Sequence, residues 1–108
     1  MEKPVDYRYR ATVIRVIDGD TIELLIDLGL YNYQRTKIRL AGINTPERGQ
    51  EGYREAKAFV SDLLEEGEVV VRTHKVGKYG GRWIGTIWVG DICLNHELIK
   101  RDLAVPYS

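Results

Sequence analysis

The sequence predicts a mainly β fold of the α+β class, with five short strands closing into a small barrel beside two helices. Three observations carry this. Apolar and polar residues alternate in several short segments, the period-two signature of strands with one buried face. A stretch with apolar residues at helical spacing lies between the third and fourth strands, and a shorter one comes after the fifth. An Asp-Gly pair, a strong short-range hairpin signal, joins the first two strands.

Residues 1–7 read as a loose arm and 8–108 as one domain. In the first strand Arg8, Arg10 and Thr12 take one face and Tyr9, Ala11 and Val13 the other. The alternation breaks at Val13-Ile14, where a bulge is expected. Asp18-Gly19 turns the chain. The second strand points Ile22, Leu24 and Ile26 inward and Thr21, Glu23 and Asp27 outward. Residues 28–36 read as a loop containing Tyr31 and Tyr33. Residues 37–41 form the third strand, with Ile38 and Leu40 on one face and Arg39 on the other. Asn44-Thr45-Pro46-Glu47 then breaks the strand, since Pro46 lacks an amide hydrogen. Residues 51–64 read as an amphipathic helix with Tyr53, Ala56, Phe59, Val60, Leu63 and Leu64 on its apolar side, stopped by Gly67. Val69 and Val71 mark the fourth strand, 77–81 a loop with three glycines, and Trp83, Gly85, Ile87 and Val89 one face of the fifth. After a Gly90-Asp91 turn, residues 94–101 form a short helix burying Leu94 and Leu98 with Ile99 beside them. Leu103, Ala104 and Val105 pack behind it. Five strands with one central helix suit a partly open barrel of the oligonucleotide-binding (OB-like) kind; a three-layer sandwich is the alternative.

Composition narrows the function. At 108 residues the chain has the size of one ordinary domain, and 44% apolar with 30% charged residues is the balance of a soluble globular protein. No stretch approaches the length of about 18 apolar residues that crosses a bilayer, so no membrane partner is expected. The N-terminal residues lack the apolar run of a signal peptide, which leaves the compartment open. Cys93 alone excludes an internal disulfide and reads as a buried reduced thiol. His74 and His96 have no cysteine at zinc-ligand spacing. Sixteen basic residues balance sixteen acidic ones, which counts against tight nonspecific nucleic-acid binding but not against contact with one or two phosphates. Nothing in the sequence points to an oligomer, and a monomer is the expectation.

Several polar residues are more than the fold requires: Asp18 and Asp20 around Gly19, Arg39, Asn44, Thr45 and Glu47, and Lys78, Tyr79 and Arg82 about the glycine loop. Each has a plain structural reading. Asp-Gly is a common turn pair, Thr45 can cap a helix, a strand arginine usually faces solvent, and glycine loops are usually turns.

Taken together, the segments Val16-Ile17-Asp18-Gly19-Asp20-Thr21, Ile38-Arg39-Leu40-Ala41-Gly42-Ile43-Asn44-Thr45-Pro46-Glu47 and Gly77-Lys78-Tyr79-Gly80-Gly81-Arg82-Trp83 resemble the staphylococcal nuclease family in order and spacing. Asn95-His96-Glu97-Leu98-Ile99-Lys100 with Leu103-Ala104-Val105 is similar to its closing helix, and the long second hairpin looks like the compact bacterial and phage branch. The resemblance implies a five-stranded barrel and calcium-dependent hydrolysis of phosphodiester bonds in DNA or RNA, the substrate being single-stranded or frayed. It implies metal ligation by Asp20, Asn44 and the Thr45 carbonyl, and activation of the attacking water by Glu47. It assigns phosphate and transition-state contacts to Arg39 and Arg82, and grip on a neighbouring phosphate to Lys78 and Tyr79. Calcium and two arginines would offset the negative charge that repels an incoming hydroxide. Tyr31 and Tyr33 either stack a base or pack against the barrel rim.

The chain departs from the pattern in three ways. Asn44 stands where the family's best-known member has aspartate, which implies weaker calcium binding, and an extra glycine precedes Arg82, which puts its face in question. The sequence is also near neutral and lacks that member's long C-terminal extension, from which weaker substrate binding is expected. The competing functions are a catalytically silent module that binds nucleic acid or protein, and a structural adaptor. The retention of Asp20, Arg39, Glu47 and Arg82 favours the enzyme.

Overall fold

The computed structural model describes residues 7–76 and 82–107. The strands are β1 (Arg8–Asp18), β2 (Thr21–Asp27), β3 (Tyr33–Leu40), β4 (Ile43–Asn44), β5 (Glu68–Val76), β6 (Arg82–Val89), β7 (Ile92–Cys93) and β8 (Val105–Pro106). The helices are α1 (Tyr53–Leu63), after β4, and α2 (Leu94–Lys100), after β7. The main sheet runs β3-β2-β1-β5-β6-β7, and β3 also pairs with β6. That last pairing is parallel, with Ile38 opposite Trp83 and Arg39 opposite Ile84, and it closes five strands into the expected barrel. A separate two-stranded ladder joins β4 to β8.

The alternation in the sequence becomes the barrel wall. Ile22, Leu24, Ile38, Leu40, Val71 and Ile87 are fully buried inside it. Val60 of α1 and Leu64 at its C-terminal cap reach in, as do Leu94 and Leu98 from α2. Each such side chain contributes about 1.5–3 kcal/mol by leaving water. The register of β1 on β2 slips between Val13 and Arg15, the bulge signalled by the broken alternation. The Val13 amide donates instead to the Gly67 carbonyl, at 2.7 Å. Gly67 itself has φ 83°, a left-handed conformation that suits glycine just past a helix.

Several boundaries differ from expectation. Strand β3 begins at Tyr33, not Lys37, because an unbroken ladder from Thr21–Arg39 to Asp27–Tyr33 supplies hydrogen bonds that the apolar pattern does not show. Helix α1 begins at Tyr53, since its N-cap, Gly52, has φ 91°, and Thr45 caps no helix. Strand β5 extends well beyond Val71. Val105 is 61% exposed rather than packed behind α2, because the β4 ladder draws it to the surface; Ala104 is buried as expected. Cys93 is half-buried rather than enclosed. Thr21 and Glu23 lie on the outer face but are buried. Glu23 is roofed by two arginines, accepting from Arg15 Nε at 2.8 Å and Arg35 Nε at 3.1 Å.

The turn between β2 and β3 is narrow and well bonded. Leu28 N–H donates to the Asn32 carbonyl at 2.8 Å, and Asn32 N–H to the Gly29 carbonyl at 2.9 Å. It holds Leu30 and Tyr31 at φ 55° and 61°, left-handed conformations costing about 1–3 kcal/mol each in non-glycine residues. Both side chains stand more than 90% exposed.

Two tertiary contacts govern stability. Gly85 tolerates no side chain, because a Cβ would lie 2.7 Å from the Arg72 carbonyl oxygen. Asn95, buried on α2, accepts from the Ile87 amide at 3.2 Å and donates to the Ala41 and Gly85 carbonyls at 2.9 and 3.3 Å. Asn95→Ala strips the partners from Ile87 N–H and the Ala41 carbonyl, and is expected to cost about 2–4 kcal/mol. Urea unfolding measures this, and an unchanged midpoint would show that Asn95 pins nothing.

The Arg15 hydrogen bond, assisted by the Arg35 charge, holds the Glu23 carboxyl below its ordinary value of 4.5. A depressed carboxylate stabilises the fold above the ordinary range and loses that contribution as pH falls through its folded-state value. The melting-temperature gap between wild type and Glu23→Gln is therefore expected to be constant near neutrality and to close as pH drops below 4.5. A gap independent of pH would show that the ion pairs contribute nothing.

Candidate active site

Two turns make the site. The hairpin between β1 and β2 packs beneath α1 so closely that a methyl group on Gly19 would lie 3.0 Å from both Ala56 Cβ and Thr45 Oγ1. Glycine thus lets the hairpin, the segment after β4 and the helix meet at one point. Asp20 comes directly after it. Its Oδ2 accepts from the Thr45 amide at 3.1 Å, its Oδ1 from the Thr21 hydroxyl at 3.2 Å, and its backbone carbonyl from the Leu40 amide at 2.8 Å. Asp18 Oδ1 accepts from the Tyr53 phenol at 2.9 Å. Asp18, Asp20, Thr45 and Glu47 line one open cleft of about 380 Å³. Glu47 is exposed, and its amide donates to Gln50 Oε1 at 2.8 Å.

Arg39 projects from the outer side of β3 and is fixed from below. Its Nη1 donates to the Leu40 and Ile43 carbonyls, both at 2.9 Å, and its Nη2 to Asn44 Oδ1 at 2.7 Å. Asp20 Oδ2 lies 3.6 Å from Nη2, an ion pair with both side chains less than 20% exposed. The Tyr107 ring centroid lies 5.9 Å from the guanidinium carbon, within cation–π reach. The Tyr107 amide donates to the Gly42 carbonyl at 2.9 Å, so the closing strand brings this ring to Arg39.

Arg82 opens β6. Gly85 and Ile87 face the core, so Arg82 takes the opposite side. Ile38 and Leu40 face the core on β3, so Arg39 is outward as well. The parallel register sets Arg82 two residues before the partner of Arg39, on the same outer face, with Cα atoms roughly 8 Å apart by strand geometry. The extra glycine therefore leaves Arg82 on the side of Arg39. Lys78 and Tyr79 lie outside the described residues.

The structure thus brings Asp20, Thr45, Glu47 and Arg39 together and adds Asp18. Asn44 meets the same Arg39 Nη2 as Asp20, its amide oxygen accepting at 2.7 Å where Asp20 Oδ2 lies at 3.6 Å, and it also lines a neighbouring cleft with residues 102–105. Sequence reasoning passed over Tyr53 and Tyr107, which carry no motif and reach the site only through packing.

The donors suit a hard cation. Among the described residues the cleft that Thr45 lines offers carboxylate oxygens from Asp18, Asp20 and Glu47, and Thr45 Oγ1 is buried beneath Gly19 without a hydrogen-bond partner. Among the described residues no three His, Cys, Asp or Glu side chains are grouped to enclose an ion. Backbone oxygens and water would complete the shell, which calcium accepts in its adaptable coordination by about 6–8 oxygens.

The chain is similar to known proteins. The family described as "Staphylococcal nuclease homologue" matches residues 37–108, the part that holds Arg39, Asn44, Thr45, Glu47 and Arg82. The chain belongs to the staphylococcal nuclease family. It is 38% identical to a "Micrococcal nuclease" of Shigella flexneri over 80 residues, 74% of this chain and 42% of that one. It is 35% identical to "Protein ParB" of Escherichia coli over 92 residues, 85% of this chain and 46% of that one. An "Uncharacterized endonuclease" of Escherichia coli O157:H7 is 29% identical over 97 residues, 89% of this chain and 60% of that one. The chain spans about half the length of the curated relatives it matches. No helix among the described residues of this family member is long and apolar enough to cross a membrane.

Gly19→Ala tests the close approach. Its methyl must displace Ala56 or Thr45, and overpacking of this kind is expected to cost about 1–3 kcal/mol. Chemical denaturation reads the loss, and an unaltered midpoint would show that the three segments have room to spare.

Proposed function

We propose that this chain is a nuclease that hydrolyses phosphodiester bonds in single-stranded or frayed DNA or RNA with a calcium ion bound at Asp20, Asn44 and Thr45. The observation that carries the reading is one cleft lined by Asp18, Asp20, Thr45 and Glu47, with the pinned Arg39 guanidinium ion-paired to Asp20 at its edge. Family membership and the nuclease names among the relatives support it.

Each residue has a task set by its surroundings. Three of the five N–H groups of Arg39 are spent on Leu40, Ile43 and Asn44, which fixes the plane of the guanidinium before substrate arrives. Its free donors then meet phosphate oxygens without a reorganisation cost. Arg82 approaches from the adjoining strand on the same face, so two positive charges gain as negative charge grows on the phosphate. Glu47 is exposed at the cleft mouth, where it can take a proton from the attacking water. Asp20, Asn44 and the Thr45 carbonyl would hold the cation, with Asp18 beside them held by Tyr53. Bound calcium supplies charge stabilisation and an activated water.

The test is cleavage of single-stranded DNA and RNA titrated with calcium and then with chelator, in wild type and Glu47→Gln. Wild type is expected to cut only with calcium, and the variant to fold normally but cut about 10²-fold or more slowly. Undiminished turnover in the variant removes Glu47 as the base. A folded wild type that cuts nothing at millimolar calcium makes the chain a silent binding module instead.

A further inference from the structure

Strand β3 carries more charge than phosphate cleavage at Arg39 requires. Thr36, Ile38 and Leu40 are buried, so Tyr33, Arg35, Lys37 and Arg39 form one outward row. Alternate residues on a strand repeat about every 6.6 Å, so the row runs roughly 20 Å from the candidate active site to the far end of the barrel. Arg82 lies beside Lys37 in the parallel ladder and widens the row at its catalytic end. Glu23, the carboxylate opposite Lys37, bonds Arg15 and Arg35 through Nε in both cases, and both arginine side chains stay more than 60% exposed. Beyond Arg35 the charge gives way to rings. Tyr33 is half exposed, Tyr31 stands on the strained tip, and Tyr33 also borders a groove of about 460 Å³ lined by Arg10, Trp88, Asp27 and Glu68.

We infer that the outward row Arg39, Lys37, Arg35 and Tyr33, ending at Tyr31, is a track that binds the nucleotides flanking the scissile phosphate of a single strand. The track takes its substrate class from the nuclease reading. Charge complementarity selects the occupant. In a chain of zero net charge, Arg15, Arg35, Lys37, Arg39 and Arg82 share this face with Asp20, Glu23 and Asp27, and Glu23 orients two of those arginines. Cations spaced along a strand suit an extended backbone, and terminal aromatics stack bases of any sequence. An extended single strand presents its phosphates and its bases separately, which a duplex does not.

The experiment measures binding of labelled single-stranded oligonucleotides of about two, four and eight residues in chelator, by fluorescence anisotropy across a range of salt. Wild-type affinity is expected to rise with length. Arg35→Gln with Lys37→Gln should lose about tenfold on the longest probe and lower the slope of log affinity against log salt by about 1.4, at about 0.7 per phosphate contact. Tyr31→Ala with Tyr33→Ala should lose about tenfold on the longest probe with the slope unchanged. Arg54→Gln with Lys100→Gln removes the same charge from the exposed sides of the helices and should bind as wild type. Loss of equal size on the shortest probe, or an Arg35/Lys37 variant that binds like the control, overturns the track. So does a tip variant that keeps its oligonucleotide affinity but no longer floats with anionic phospholipid vesicles. Binding is read without calcium, so a chain that shows the length dependence but never cuts overturns the nuclease reading alone.

Discussion

The parallel pairing of β3 with β6 is the contact on which the rest of the molecule depends. Antiparallel neighbours come readily from hairpins, but a parallel pair must be assembled from segments distant in sequence. Here it joins the third strand to one that comes after a helix and another strand. The closure is guarded at its narrowest place. Gly85 allows the approach of the β5 backbone, its carbonyl accepts from the Ala41 amide, and Asn95 ties Ala41, Gly85 and Ile87 to α2. Opening this seam would cost buried hydrogen bonds as well as apolar contact. It would also separate Arg39 from Arg82, so barrel closure and the pairing of the two arginines are one event.

The end that holds the candidate active site is organised by the same kind of economy. Gly19 removes a side chain where three segments converge, and the space so gained is filled by Thr45 and Ala56. Asp20 then receives the Thr45 amide directly, with no flexible side chain between the hairpin and the segment leading to Glu47. Arg39 is held by two backbone carbonyls, which belong to the fold itself, and by Asn44. A guanidinium fixed in this way delivers its charge in a set direction, and low exposure keeps the Asp20 contact from being screened.

One strand serves two masters because strand side chains alternate. Thr36, Ile38 and Leu40 of β3 complete the core, while Arg35, Lys37 and Arg39 carry charge outward from the site. The second role hid the first from pattern reading. Tyr33 and Arg35 looked like loop because polar and aromatic residues on the outer face diluted the apolar signal, although the backbone ladder there is continuous. The same blindness explains the outward residue Glu23. Outward in the pleat is not exposed when neighbouring arginines lie across the position.

By itself the sequence determined the barrel's inner wall, the bulge at Val13, the hairpin at Asp18-Gly19, both helices and the set of polar residues in excess of the fold, because periodicity and turn chemistry are local. It also carried the family, through the order and spacing of three motifs along the chain. Tertiary structure decided the rest. Only folding could show that Arg82 shares a face with Arg39, because that depends on the register of a non-local parallel pair. Only packing could engage Asn44 with Arg39, place Tyr53 on Asp18, and bring Tyr107 over the guanidinium. These contacts join residues with no shared period and no shared motif, so the information for them is in the closed barrel and not in any one stretch of chain.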